Sequence, residues 1–168
     1  SARVPMMIAA PQMQPGLVTA PVSNIDICPT LCHLAGVSMS EVMPWTSGES
    51  LVPLAHGSER AAPVRIEYAA EASIAPMVCL RDGAYKYIAC PADPALLFDL
   101  AQDPNERSNL IDHPDHADVQ RRLADEVARF WDFDRFDGDI RDSQARRLIV
   151  YEALRGGTYY PWDYQPLR

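Results

Sequence analysis

The stretch Leu97–Leu110, LFDLAQDPNERSNL, has the make-up of a strand that runs into a turn built by side chains. Leu97, Phe98 and Leu100 interleave with Asp99, and Asp103-Pro104-Asn105 follows at once. Asp and Asn accept hydrogen bonds from nearby backbone N–H groups, and Pro presets φ, so this is turn chemistry with a mechanism. Asn109 then closes onto Leu110. Upstream, Asp82-Gly83 is a hairpin signal between Pro76–Arg81 and Tyr85–Cys90, and Leu96–Leu100 makes the next strand. The spacing predicts an antiparallel meander over 76–100, with a further strand at Val64–Tyr68.

Two helices are predicted beyond it. Around 115–132, Val119, Leu123, Val127 and Phe130 recur on one helical stripe. Around 139–155, Ile140, Leu148, Tyr151 and Leu154 are thinly spread among arginines. That pattern is too polar for a buried helix, and it stops at Gly156-Gly157. The last stretch, TYYPWDYQPLR, has two prolines and four aromatic rings, a composition that suits an extended segment lying on a surface. At the other end, Val4–Ala10 is apolar at nearly every position and reads as a strand covered on both faces. Asn24 or Asp26 is expected to cap a helix reaching about Ala35, with Pro29 in its first turn and Gly36 ending it. Residues 37–63 have long-loop composition.

Composition narrows the function. Of 168 residues, 48% are hydrophobic, enough for a core. Fifteen basic residues against 23 acidic ones give a net charge of -8, with no basic stripe for nucleic acid or an anionic membrane. No apolar run is long enough to span a bilayer, and no signal-peptide pattern follows Ser1. The chain starts without Met, as though cut from something larger. Cys28, Cys32, Cys79 and Cys90 form no CxxC pair, so reduced, packed thiols of a cytoplasmic protein are expected. Cys28, Cys32 and His33 sit within about a helical turn, where core packing outweighs a metal site. His113 and His116 flank a helix start and read as caps. Asp99, Asp103 and Glu106 lack EF-hand spacing and read as turn anchors. GxSxG, P-loop and HExxH motifs are absent.

Taken in order, SARVPMMIAAP, SNIDICPTLCHLAGV, SGESLVPL and YKYI…LFDLAQDPNERSNL resemble successive segments of the sulfatases, in the alkaline-phosphatase superfamily. EYAAEAS (67–73) and SQARRLIVYEALRGGTYYPWDYQPL (143–167) resemble the choline-sulfatase branch. The resemblance implies an α/β fold: the C-terminal part of a sulfatase-like α/β sandwich with a small antiparallel β subdomain, two C-terminal helices and an extended aromatic tail. Expected divisions are 1–75 for the end of the α/β core, 76–135 for the antiparallel subdomain with its helix, and 136–168 for helix and tail. Sulfatases use a formylglycine made from Cys or Ser in a C/S-x-P/A-x-R motif, together with a divalent metal, Ca or Mg. None of the four cysteines fits that motif, so the resemblance places both groups outside this chain, on an upstream sulfatase segment, and assigns this chain no catalytic and no metal-binding residue.

What the resemblance leaves to this chain is a wall of the substrate pocket and contacts within a homo-oligomer through 139–168. The small-molecule substrate it implies is a sulfate ester, choline sulfate. A trimethylammonium group has no N–H to donate and is met by carboxylates and aromatic faces. Glu71 matches the position where choline sulfatases place such a carboxylate, and Glu67 is the second candidate. A sulfatase or phosphonate monoester hydrolase of other specificity, and a non-catalytic assembly or binding module, remain open alternatives.

Overall fold

The computed structural model describes residues 4–11, 13–60, 62–70 and 73–157. Its centre is a four-stranded antiparallel sheet of β1 (Val64–Tyr68), β2 (Met77–Asp82), β3 (Tyr85–Cys90) and β4 (Asp93–Asp99), paired in chain order. The sheet takes in Val64–Tyr68 as well as the predicted meander. Gly83 turns the β2–β3 hairpin with φ +53, a left-handed conformation that costs glycine little. Arg81 straps the same turn, its Nη1 donating to the carbonyls of Ala84 and Tyr85 at 3.2 and 2.8 Å.

Period-two alternation sends Val78 and Leu80 to one face, where Leu80 lies opposite Tyr87 and Tyr87 opposite Leu97. On that face rests α4 (Ala117–Phe130), whose Leu123 and Val127 complete the core with Val78, Leu80, Tyr87 and Leu97. Leu80, Leu97 and Leu123 have no exposed surface. Of the predicted stripe on α4, Phe130 stays half exposed instead. Its ring lies under the Arg65 guanidinium, 3.3 Å from the ring centroid, while Arg65 also pairs with Glu126 at 3.0 Å.

The opening stretch behaves as its chemistry demands. Leu110 N–H donates to the Leu97 carbonyl at 2.8 Å, and Asn109 Oδ1 accepts from Leu97 N–H at 2.9 Å and Ile111 N–H at 3.1 Å. Asp99 Oδ1 accepts from Ala101 N–H, and Asp103 Oδ2 accepts from Arg107 and Ser108 N–H. The turn is a hydrogen-bonded clasp on the end of β4. It presents the chain to α4 in the direction the core needs.

Elsewhere the structure corrects the expectations. Val4–Ala10 forms no strand, and Met7 is 94% exposed. A strand buried on both faces needs partners on both sides, and the described strands pair only with one another. α1 (Ile27–Leu34) is present with Asp26 at its N-cap position, though its carboxylate bonds no α1 N–H, and Ser23 caps the 3-10 turn that leads into it. Asp26 supplies the reciprocal half of the capping box, accepting from Ser23 N–H at 2.8 Å. The long loop of 37–63 contains two single-turn helices, α2 (Met39–Val42) and α3 (Val52–Ala55). The last helix, α5 (Phe133–Arg155), starts six residues earlier than its apolar pattern suggests, because Asp132 caps it through Arg135 N–H at 3.0 Å. The aromatic tail after Gly157 lies outside the described residues.

Candidate functional site

β1 ends at Tyr68, and the chain then crosses to β2 through residues 69–76. Of the two carboxylates singled out in the sequence, Glu67 lies in β1 and Glu71 falls between β1 and β2. Glu67 sits on the α4 side of β1, opposite Val78, and its Oε1 accepts from the Trp131 indole N–H at 2.6 Å. That bond pins the end of α4 to the sheet. Glu71 lies outside the described residues. Its flanks do not: Ser73 N–H donates to the Ala70 carbonyl at 3.2 Å, and Ser73 Oγ donates to the Ala75 carbonyl. Ala70 and Ser73 thereby line a concavity of about 220 Å³ whose far wall is α5.

The first half of α5 can form that wall because Phe133, Phe136, Asp137, Ile140 and Ser143 are half-buried at helical spacing. Ile140 faces Ala69, Ile74 and Ala75 across the concavity, with Asp137, Arg141 and Gln144 at its rim. Arg141 Nε donates to Asp137 Oδ2 at 2.6 Å, a bond that pushes the guanidinium pKa up and keeps it charged. The lining mixes apolar groups of Ala69, Ala70, Ile74, Ala75, Pro76 and Ile140 with polar groups of Ser73, Asp137, Arg141 and Gln144.

The other sequence candidates have ordinary partners. Cys28 Sγ lies 3.3 Å from Met43 Sδ, and His33 Nδ1 shares a hydrogen bond with Ser50 Oγ at 2.9 Å. His113 Nδ1 accepts from Asp115 N–H at 3.3 Å, the capping role expected of it. Glu106 pairs with Lys86 at 2.6 Å, while Asp99 and Asp103 accept from backbone N–H groups. Cys79 faces the sheet's second side, where burial pushes its thiol pKa up and leaves it a poor nucleophile. Among the described residues no three His, Cys, Asp or Glu side chains are gathered as a metal site would require. Residues 143–147, Ser-Gln-Ala-Arg-Arg, do spell the serine form of the formylglycine motif. They fall inside α5, with no gathered carboxylates beside them to hold a metal, and the match is one of letters.

Sequence reasoning missed the most elaborate polar centre. Asp26 has no exposed surface, and its carboxylate accepts from Ser23 N–H, from Glu49 N–H at 2.9 Å and from both Arg60 Nη atoms at 2.7 and 3.2 Å. Arg60 Nε donates to the Ala62 carbonyl at 3.0 Å, so one ion pair joins α1, the 46–49 loop and the approach to β1. Thr30 Oγ1 adds a link from α1 to Leu51 N–H at 2.9 Å. Gly48 is needed there, since a Cβ would stand 2.2 Å from the Ile25 carbonyl oxygen. The S-x-x-D spacing of Ser23 and Asp26 was the readable signal. Nothing local announced Arg60.

Comparison with known proteins decides the family. The family described as N-sulphoglucosamine sulphohydrolase, C-terminal, matches residues 1–132. The chain belongs to the sulfatases. A second family, Choline sulfatase enzyme C terminal, matches residues 138–168. The chain is 55% identical to the choline-sulfatase of Rhizobium meliloti (strain 1021), over 100% of its own length and 33% of that protein's. It is 32% identical to the uncharacterized sulfatase YidJ of Escherichia coli (strain K12), over 77% of this chain and 26% of the other. The sulfatase segment thus spans about a third or less of these relatives. Its fold is similar to that of BT4656, solved in complex with its substrate D-glucosamine-2-N,6-O-disulfate. The TM-score is 0.52 at 21% identity, covering 62% of this chain and 22% of that one. The described residues accordingly form the antiparallel sheet and helices of a sulfatase C-terminal segment.

The family boundary falls across the concavity. One wall, Ala69, Ala70 and residues 73–76, lies in the general sulfatase match. Ile140, Arg141 and Gln144 lie in the choline-sulfatase match.

Proposed function

We propose that the parent of this chain hydrolyses choline sulfate to choline and sulfate, and that this segment supplies part of the wall that receives the choline group. The observation that carries the reading is the 55% identity to a choline-sulfatase along the whole chain. The agreement of residues 138–168 with the choline-sulfatase C-terminal family supports it independently.

The divalent metal and the formylglycine that sulfatases use supply the chemistry at sulfur, and in this reading an upstream segment holds both. The described residues contain no cluster suited to the metal. What this chain's own residues do is bind and orient. Glu71 is the carboxylate assigned to the quaternary ammonium, because such a cation offers neighbours only its charge and its polarised methyl groups. Glu67 has a structural duty at Trp131 and is the secondary candidate.

Residues 139–168 are assigned to contact with a second copy of the protein. Leu148, Ile149, Val150, Tyr151 and Leu154 of α5 are all more than half exposed, an apolar run that the described residues leave uncovered. Removing residues 157–168 from the complete protein is expected to lower its oligomeric state in light scattering; an unchanged assembly contradicts this assignment.

The substrate reading is tested by Glu71→Gln in the complete protein. A charge partner of low exposure contributes about 1–3 kcal/mol, so kcat/KM for choline sulfate should fall about 10- to 100-fold. Turnover of a neutral aryl sulfate should change little. An equal loss on both substrates makes Glu71 structural.

A further inference from the structure

We propose that Cys28, Cys32 and Met43 form a binding site for a soft monovalent metal ion of the copper(I) type, held between α1 and α2. The site is separate from the choline-sulfate reading and stands or falls without it.

Cys28 and Cys32 are four residues apart on α1, so their side chains leave the same face of the helix, one above the other. The two thiols lie within hydrogen-bond reach of each other. The chain turns back at Gly36, whose φ is +68, and Val37 N–H donates to the Cys32 carbonyl at 2.9 Å. α2 follows, and its C-cap Met43 donates its N–H to the Met39 carbonyl at 2.8 Å. That bond fixes where the Met43 side chain begins, and its Sδ comes to 3.3 Å from Cys28 Sγ. The Cys28 sulfur thus has a second thiol on one side and a thioether on the other.

Packing in a core, the expectation from spacing alone, would bury these groups. Instead all three residues are half-buried, and none belongs to the buried apolar core. A metal–sulfur bond of about 2.3 Å sets the scale, so two sulfurs 3.3 Å apart are both within reach of one ion without α1 moving from α2. The donor set selects the metal. Thiolate and thioether sulfur are soft ligands that favour Cu(I), whereas Ca2+ and Mg2+ need oxygen and structural zinc needs four Cys, His or carboxylate ligands. Among the described residues no third His, Cys, Asp or Glu joins the two cysteines. His33 is adjacent in sequence, but its Nδ1 is engaged with Ser50 Oγ. On binding, both thiols release their protons to solvent, two copper–thiolate bonds form, and Met43 adds a neutral donor. The ion enters and stays as Cu(I), so no electron moves.

The experiment titrates the complete, reduced protein, without oxygen, against copper(I) held by bathocuproine disulfonate, whose colour reports the copper it loses. The unmodified protein should withdraw one more copper per chain than the Cys28→Ser/Cys32→Ser variant. Met43→Leu keeps the side-chain bulk and should weaken that site about ten-fold or more, the loss that even an outer partner of a metal site brings. Cys79→Ser, on the sheet, should leave it unchanged, and excess zinc chloride should not displace the copper. Equal copper uptake by the double-serine variant, or an affinity that Met43→Leu does not move, would show packed sulfurs only and overturn the inference. Displacement by zinc would overturn it too. The two variants act separately, so loss of folding in one leaves the other to decide.

Discussion

The sheet with α4 and the stretch from Val4 to Arg60 are held together by different means. In the first, Val78, Leu80, Tyr87, Leu97, Leu123 and Val127 close a continuous apolar core, and hydrogen bonds serve mainly to trim its edges. In the second, the buried groups include Asp26 and Thr30, while Val4, Met7, Leu17, Ile25, Ile27 and Leu31 stand open to solvent. The sheet unit buries its apolar residues within the chain. The N-terminal stretch buries Leu51 and Val52, keeps its shape through a buried ion pair and a few backbone bonds, and leaves many of its other apolar residues facing outward. A region that displays apolar side chains while organising its polar ones is built to be covered. Relatives of which this chain spans about a third or less have ample further sequence to do so.

The contrast can be broken by mutation, beginning with the largest effect. Asp26→Ala strands the Arg60 guanidinium, and losing one partner of a buried pair costs about 3–5 kcal/mol. That loss should be local: hydrogen exchange should accelerate over 23–60 while β2 and β3 keep their protection. Collapse of protection across the sheet would mean that the two regions form one cooperative unit. Leu123→Ala, at a position with no exposed surface, should cost about 2–5 kcal/mol in denaturant unfolding, with the sheet's protection lost first. Asn109→Ala removes the acceptor shared by Leu97 and Ile111 N–H, and about 1–2 kcal/mol should go with it. At the small end, Leu148→Ser on the open half of α5 should move unfolding of the isolated chain by less than about 0.5 kcal/mol. A large loss there would show that α5 has an intramolecular partner.

The same contrast explains what could be read in the sequence. Val64–Tyr68 and Tyr85–Cys90 emerged at their observed bounds, and the stripe on α4 pointed to Leu123 and Val127, because alternation and helical spacing record contacts made within the chain. The Asp103 and Asn109 turn was readable because its hydrogen bonds are local. Val4–Ala10 misled for the converse reason. Its apolar pattern records a need for burial, while a strand also requires partners, and the described residues provide none. Asp26 and Arg60 are 34 positions apart, so neither residue's local sequence points to the other. The concavity was half legible. EYAAEAS points to one wall through family resemblance and Ile140 belongs to the expected helix, whereas Asp137 precedes residue 139, where the apolar pattern begins.

We propose that the protein containing this sulfatase segment is adapted to a quaternary-ammonium leaving group. The most direct test compares kcat/KM of the complete protein for choline sulfate and for 3,3-dimethylbutyl sulfate, which share shape and differ in charge. If a carboxylate receives the cation, choline sulfate should be favoured by about ten-fold or more, since each 1.4 kcal/mol of charge interaction is a factor of ten. Equal turnover of the two, or preference for the neutral ester, would contradict the account.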